Sequence, residues 1–168
     1  VSLAFRVFGL PRSGTTWVAN WLTTHDSICW HDPCEWATPG DVEQWARCQR
    51  RPAGICCTGL WLHRSWRPEV PTLLLDRPRE EVQRSMVAKG LPELPGWALD
   101  AWDDLPFERV TLLDLLDEDN AARAHGYLLP TVVFDRQRHA ELAKMKIEPS
   151  DRELSRVRSR IALTGGLK

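Results

Sequence analysis

No hydrophobic run in the chain approaches the roughly 18–20 residues that a membrane-spanning helix needs. Neither sign of charge dominates: 22 Lys and Arg stand against 23 Asp and Glu, a net charge of −1. A field that would recruit nucleic acid or a membrane surface is therefore not expected. No Cys-x-x-Cys pair occurs among the five cysteines. Cys29 and Cys34, the lone Cys48 and the adjacent Cys56 and Cys57 lack the spacing of a zinc site. Adjacent cysteines on a strand point to opposite faces and cannot easily share a metal. Reduced, buried cysteines are the expectation, and they fit a cytoplasmic protein with no metal. The N-terminus lacks the basic segment, apolar core and cleavage site of a secretion signal, so none is expected. Repeats and low-complexity tracts are missing as well. Lysine is scarce, with 4 of the 22 basic residues; the other 18 are arginine.

What is present reads as one globular domain over 1–168, with 43% apolar and 27% charged residues. Arginine presents a fixed fork suited to phosphate, sulfate and carboxylate oxygens, although a GC-rich genome gives the same bias. Tryptophan is frequent, with nine copies, and suits a core or a groove wall.

Residues 4–10 (AFRVFGL) predict a short, mostly apolar strand. Pro11-Arg12-Ser13-Gly14-Thr15-Thr16 follows as a turn-rich loop. Trp17, Val18, Trp21 and Leu22 then sit at helical spacing over 15–24. Residues 27–30, 54–61 and 70–76 are further strand candidates. Residues 41–50 and 78–89 predict helices, the second with proline at its first position. A Pro/Gly connector covers 90–96. The apolar stretch 110–116, inside acid-rich 98–119, fits a strand or a helix. Residues 135–145 and 151–161 predict helices, and 164–168 a tail. Strands alternating with helices up to about residue 90 predict an α/β fold with a parallel sheet flanked by helices. Ligands in such sheets bind beyond the carboxyl ends of the strands, so loops 11–16, 31–35, 62–66 and 77–78 are candidates.

The first of these loops carries the most chemistry. In Gly9 to Thr16 (GLPRSGTT), Gly14 lets the backbone turn and approach an oxyanion closely. The amides of Ser13 to Thr16 converge at the start of a helix. Ser13, Thr15 and Thr16 add hydroxyl donors, and Arg12 adds a fixed cation. A Ser/Thr-capped helix after a proline turn would explain part of this pattern. A nucleotide triphosphatase loop reads GxxxxGK[ST]; here Gly9, Gly14 and Thr16 match, and Thr15 stands where that loop has lysine.

Pro11–Trp17 (PRSGTTW) resembles the 5′-phosphosulfate loop of the sulfotransferases, a modified P-loop with Lys or Arg just before Ser-Gly-Thr-Thr. The family's second signature is an Arg at the end of a later strand and a Ser eight residues on. Arg77 and Ser85 match it, after the VPTLLLD strand. At about 1.5 Å rise per residue, strand end and helix face can flank one nucleotide edge. The segment Cys29-Trp30-His31-Asp32 is similar to a Cys-x-His-acid segment in short sulfotransferase-like proteins of bacteriophages. The resemblance covers residues 4–86. It implies a three-layer, P-loop NTPase-like fold with a central, mostly parallel sheet. A nucleotide-binding half would occupy about 4–90 and a helical remainder about 96–161.

The resemblance also implies a donor, 3′-phosphoadenosine 5′-phosphosulfate (PAPS), with adenosine 3′,5′-bisphosphate (PAP) as product and no metal requirement. Pro11, Arg12, Ser13, Gly14, Thr15, Thr16 and Trp17 would bind the 5′ side, and Arg77 and Ser85 the 3′-phosphate. Arg12 would stabilise charge on the transferring group. A hydroxyl or amine of a small molecule or saccharide would be the acceptor, in a bacterial or phage-infected cytoplasm. Its general base would be Asp32, then His31, then His63, with Glu35 in reserve. Trp17, Trp36, Trp61 and Trp66 are candidates for an aromatic wall, or for the core. Two other readings remain open. One is a P-loop kinase or triphosphatase using Asp76 and Mg²⁺. The other is a non-catalytic nucleotide-binding module.

Overall fold

The computed structural model describes residues 3–33, 37–58 and 69–145. Five strands form one sheet: β1 (Phe5–Gly9), β2 (Ile28–His31), β3 (Ala53–Cys57), β4 (Thr72–Asp76) and β5 (Glu108–Thr111). All four pairings are parallel, in the order β2-β3-β1-β4-β5. Seven helices are described: α1 (Thr15–Trp21), α2 (Pro39–Arg47), α3 (Arg79–Ala88), α4 (Gly96–Asp103), α5 (Leu112–Leu116), α6 (Glu118–Leu128) and α7 (Arg136–Ala143).

Side chains alternate across the sheet and build two cores, giving three layers. Phe8, Ile55, Cys57 and Leu74 face one side and meet Val42 of α2, Val82 and Met86 of α3, and Leu99 and Trp102 of α4. Phe5, Val7, Cys56, Leu73 and Leu75 face the other. They meet Trp17 and Trp21 of α1, Leu115 of α5, Ala121 and Leu128 of α6, and Leu142 of α7. The adjacent Cys56 and Cys57 therefore serve opposite cores, and both are buried and outside any disulfide.

Several boundaries differ from the sequence reading for identifiable reasons. The 110–116 stretch is both strand and helix, because Thr111 ends β5 and opens α5. Its side chain accepts from the Asp114 amide while Asp114 caps Thr111 in return. The second half is thus not purely helical: β5 extends the sheet. Pro78 lies one position earlier than expected, as the N-cap of α3 rather than its first residue. Helices α4 and α6 lie inside the helical remainder expected over about 96–161, where the sequence delimited no separate helix at either place. The predicted 151–161 helix falls outside the described residues. No helix of the described residues is long and apolar enough to cross a membrane.

The second core holds two buried histidines. His139 Nε2 lies 2.8 Å from the Leu115 carbonyl. His125 packs edge-on against Trp21 and Phe134, and its buried Nε2 has no hydrogen-bond partner among the described residues. Burial holds the His125 pKa below the usual 6.5. The unfolded chain therefore binds this proton more readily than the folded one, and stability falls as pH drops from about 6.5 through the folded value. Urea unfolding against pH should show this acid slope, and His125→Phe should flatten it. An unchanged slope in the variant would assign the acid sensitivity to another group.

Candidate functional site

Strand β1 is central, between β3 and β4; the chain leaves β1 towards β2 at one edge of the sheet, whereas it leaves β3 and β4 in the opposite direction, towards β5. The carboxyl end of such a strand is where parallel sheets leave a crevice. The loop from Leu10 to Gly14 lies there. Ser13 N–H donates to the Leu10 carbonyl at 3.1 Å, which tightens the turn. Gly14, at φ 98°, caps α1, a conformation that costs a residue with a Cβ. Under the loop, a Cβ on Gly9 would come within 2.7 Å of Thr15 Cγ2, so glycine lets α1 start close against the sheet. The Cys56 thiol donates to the Thr15 carbonyl at 3.3 Å. Burial, with smaller contributions from nearby negative groups, pushes the thiol pKa up, so Cys56 is a support rather than a nucleophile.

Arg12 and Asp32 are the two non-glycine residues with positive φ among those described, at 70° and 44°. Backbone strain of this kind persists where surrounding contacts over-determine it, and it clusters at functional sites. Both residues meet that condition. Arg12 Nε donates to Ser85 Oγ of α3 at 3.3 Å. Arg77 Nη1, from the end of β4, donates to the Arg12 carbonyl, and its Nε donates to Glu81 at 3.2 Å. Arg12, Arg77 and Ser85 are thus brought together. Asp32 Oδ1 accepts from the Thr58 amide at 2.6 Å and from Thr58 Oγ1 at 3.0 Å. Its Oδ2 lies 3.3 Å from His31 Nε2.

The same His31 nitrogen lies 3.3 Å from Thr15 Oγ1 and 3.4 Å from Thr16 Oγ1. Carboxylate and hydroxyls therefore converge on one ring nitrogen. A hydroxyl–His–carboxylate relay needs them on opposite nitrogens, so this cluster is not a nucleophile triad. Ser13 is 2% exposed, and its Oγ has no hydrogen-bond partner among the described residues. A buried hydroxyl in this state is satisfied by a water or by a ligand group that enters the loop.

Other expected residues stand apart from this cluster. Trp17 is buried in the second core, where its indole N–H donates to the Leu142 carbonyl at 3.0 Å. Pro11 is half-buried in the loop. Asp76 turns away towards α4, accepting from Trp102 Nε1 at 3.2 Å and pairing with Arg109 at 3.5 Å. His63, Glu35, Trp36, Trp61 and Trp66 lie outside the described residues.

Two residues at the site escaped the sequence reading. The sequence places Thr58 inside a strand over 54–61, whereas β3 ends at Cys57 and Thr58 bonds Asp32. Leu112 packs on the loop so closely that a Cβ on Gly14 would meet its Cδ2 at 2.8 Å. No local signal marks Leu112, because the contact depends on where β5 joins the sheet. No family model matches the chain, and no curated protein or solved structure matches it either.

Proposed function

We propose that the chain is a sulfotransferase that moves a sulfuryl group from PAPS to a hydroxyl or amine acceptor. The observation that carries this reading is the convergence of Arg77 and Ser85 on Arg12 of the loop. Two cations and a hydroxyl from three chain segments meet at one strand end, with Ser13 Oγ buried and unpaired beside them. That is a donor set for two separated anionic groups. The strand order, with the loop after the central β1, supports a P-loop type of fold.

PAPS would supply an activated sulfur–oxygen bond; the acceptor oxygen or nitrogen would form the new bond to sulfur as that one breaks, its proton passing to a general base and PAP leaving. The chain's own residues do the rest. Loop amides and the Ser13, Thr15 and Thr16 hydroxyls bind the 5′ group, and Arg12 lies where its guanidinium meets charge growing on the leaving oxygen. Arg77 and Ser85 orient the 3′-phosphate. Of the expected bases, His31 lies against the loop hydroxyls, while Asp32 is committed to Thr58. The kinase reading is less well supported, because Asp76 is engaged by Trp102 and Arg109.

Calorimetric titration tests the reading. PAP should bind without Mg²⁺ and more tightly than ATP. Arg77→Ala should weaken PAP about ten- to a hundredfold, the loss of one charge-assisted contact. Mg²⁺-dependent ATP binding would replace the proposal with the kinase reading. Unimpaired PAP binding with no turnover on any acceptor would favour the non-catalytic module.

A further inference from the structure

The turn that opens the loop is built on an ill-suited residue. Ser13 N–H donates to the Leu10 carbonyl, so Leu10-Pro11-Arg12-Ser13 is a closed β-turn. Proline at its second position cannot take a positive φ, and Arg12 at its third has φ 70°. That combination is a type II turn, whose third position favours glycine. A left-handed backbone under a long side chain persists only where neighbouring groups hold it.

One holding group comes from another strand. Arg77, just past the end of β4, donates from Nη1 to the Arg12 carbonyl. Arg77 is fixed in turn, because its Nε donates to Glu81 in the first turn of α3 at 3.2 Å. The carbonyl that Arg77 holds belongs to the same peptide unit as the Ser13 N–H, and a peptide unit is planar. With its oxygen tied to Arg77 and its hydrogen to Leu10, that plane is fixed at both ends. Ser13 therefore leaves the turn in one direction, and the plane aims its buried hydroxyl. Arg77 Nη2 takes part in neither contact, so bracing the loop and meeting a 3′-phosphate are compatible.

We infer that Arg77 is a positioning residue for the 5′ side of the site. By holding the Arg12 carbonyl it keeps the strained turn closed. The closed turn sets how well the loop takes a 5′-phosphate or sulfate group, in addition to any contact of Arg77 with a 3′-phosphate. The inference rests on the reading of this loop as the seat of the donor's 5′ group.

The test uses the full chain and two nucleotides: adenosine 5′-monophosphate, which has no 3′-phosphate, and PAP. Calorimetry reads affinity, and amide hydrogen exchange at Ser13 reads opening of the turn. Arg77→Ala should weaken the monophosphate about tenfold and speed Ser13 exchange about tenfold, the loss of one charge-assisted hydrogen bond. PAP should weaken further, because it loses the direct contact as well. Arg12→Gly removes the strain, so in that background Arg77→Ala should change either reading by less than about threefold. Thermal unfolding of each variant separates a misfolded chain from an opened turn. Wild-type monophosphate affinity in Arg77→Ala would overturn the inference. So would a tenfold loss that persists in the Arg12→Gly background, because it would belong to the charge of Arg77 and not to the turn. Equal losses of monophosphate and PAP, with no preference for PAP in wild type, would keep the brace and remove the sulfotransferase reading. Preference for PAP, with PAP alone weakened by Arg77→Ala, would do the reverse.

Discussion

Alanine at position 14 should abolish anion binding and destabilise the fold by about 2–5 kcal/mol. Two separate costs add. Gly14 has φ 98°, which burdens any residue with a Cβ by about 1–2 kcal/mol. The new methyl would also lie 2.8 Å from Leu112 Cδ2 and 3.3 Å from its Cδ1 and Cγ, a crowding typically worth about 1–3 kcal/mol. Urea unfolding measures the sum. Adding Leu112→Ala to Gly14→Ala removes the crowding but not the strain, so the gap to Leu112→Ala alone should shrink to the strain cost. Phosphate binding should stay lost in the double variant, because the loop amides are aimed by the backbone turn itself. A Gly14→Ala protein of wild-type stability and affinity would mean that the loop does not need this conformation.

Gly54→Ala should have a comparable effect at a place remote from the loop. Gly54 sits in β3 directly opposite Phe5 of β1. A Cβ there would lie 2.4 Å from the Phe5 ring carbons Cδ2 and Cε2, closer than any real contact. Phe5 is fully buried and cannot swing into solvent. Overpacking of this kind costs about 1–3 kcal/mol and at times more, which should lower the melting temperature by about 2–12 °C for a chain of this size. Phe5→Leu in the same chain frees the space, so the double variant should be more stable than the sum of the single losses predicts. Strict additivity would show that the two side chains do not compete.

The fold was legible wherever local chemistry decides. Pro11 to Thr16 announces a turn before a helix, and the apolar run before Asp76 is a strand in any context. The boundary at Thr111 was also written locally, as a Thr-x-x-Asp capping box, but the leucines around it fit both periodicities. Helix α6 was harder to see because its buried stripe is Ala121, Ala124, His125 and Leu128, with little hydrophobic contrast. Helix α4 begins right after a proline-rich connector, yet Ala98, Leu99 and Trp102 carry its periodicity.

At the site, the pairing of Arg77 and Ser85 with the loop was accessible through spacing and resemblance. The contact of His31 with Thr15 and Thr16 was not. Sequence treats His31 and Asp32 as two competing bases. The strand order puts β3 between β2 and β1, and Thr58, just after β3, then ties down Asp32 while His31 lies against the loop hydroxyls. A division of labour between adjacent residues is a property of the sheet, not of the dipeptide.

The central place of β1 bears on how the chain comes to be folded. Strand β1 does not pair with β2, the next strand along the chain. It pairs with β3 on one side and with β4 on the other, so one edge stays bare until residue 57 has emerged and the other until residue 76. Such non-local pairing is slow, because long loops must close before any contact rewards them. The amides of β1 should accordingly be among the last to exchange with solvent deuterium, opening only when the whole sheet does. A nascent chain halted before β3 would expose Phe5 to Gly9 as an unpaired, mostly apolar strand, the segment a chaperone would be expected to grip.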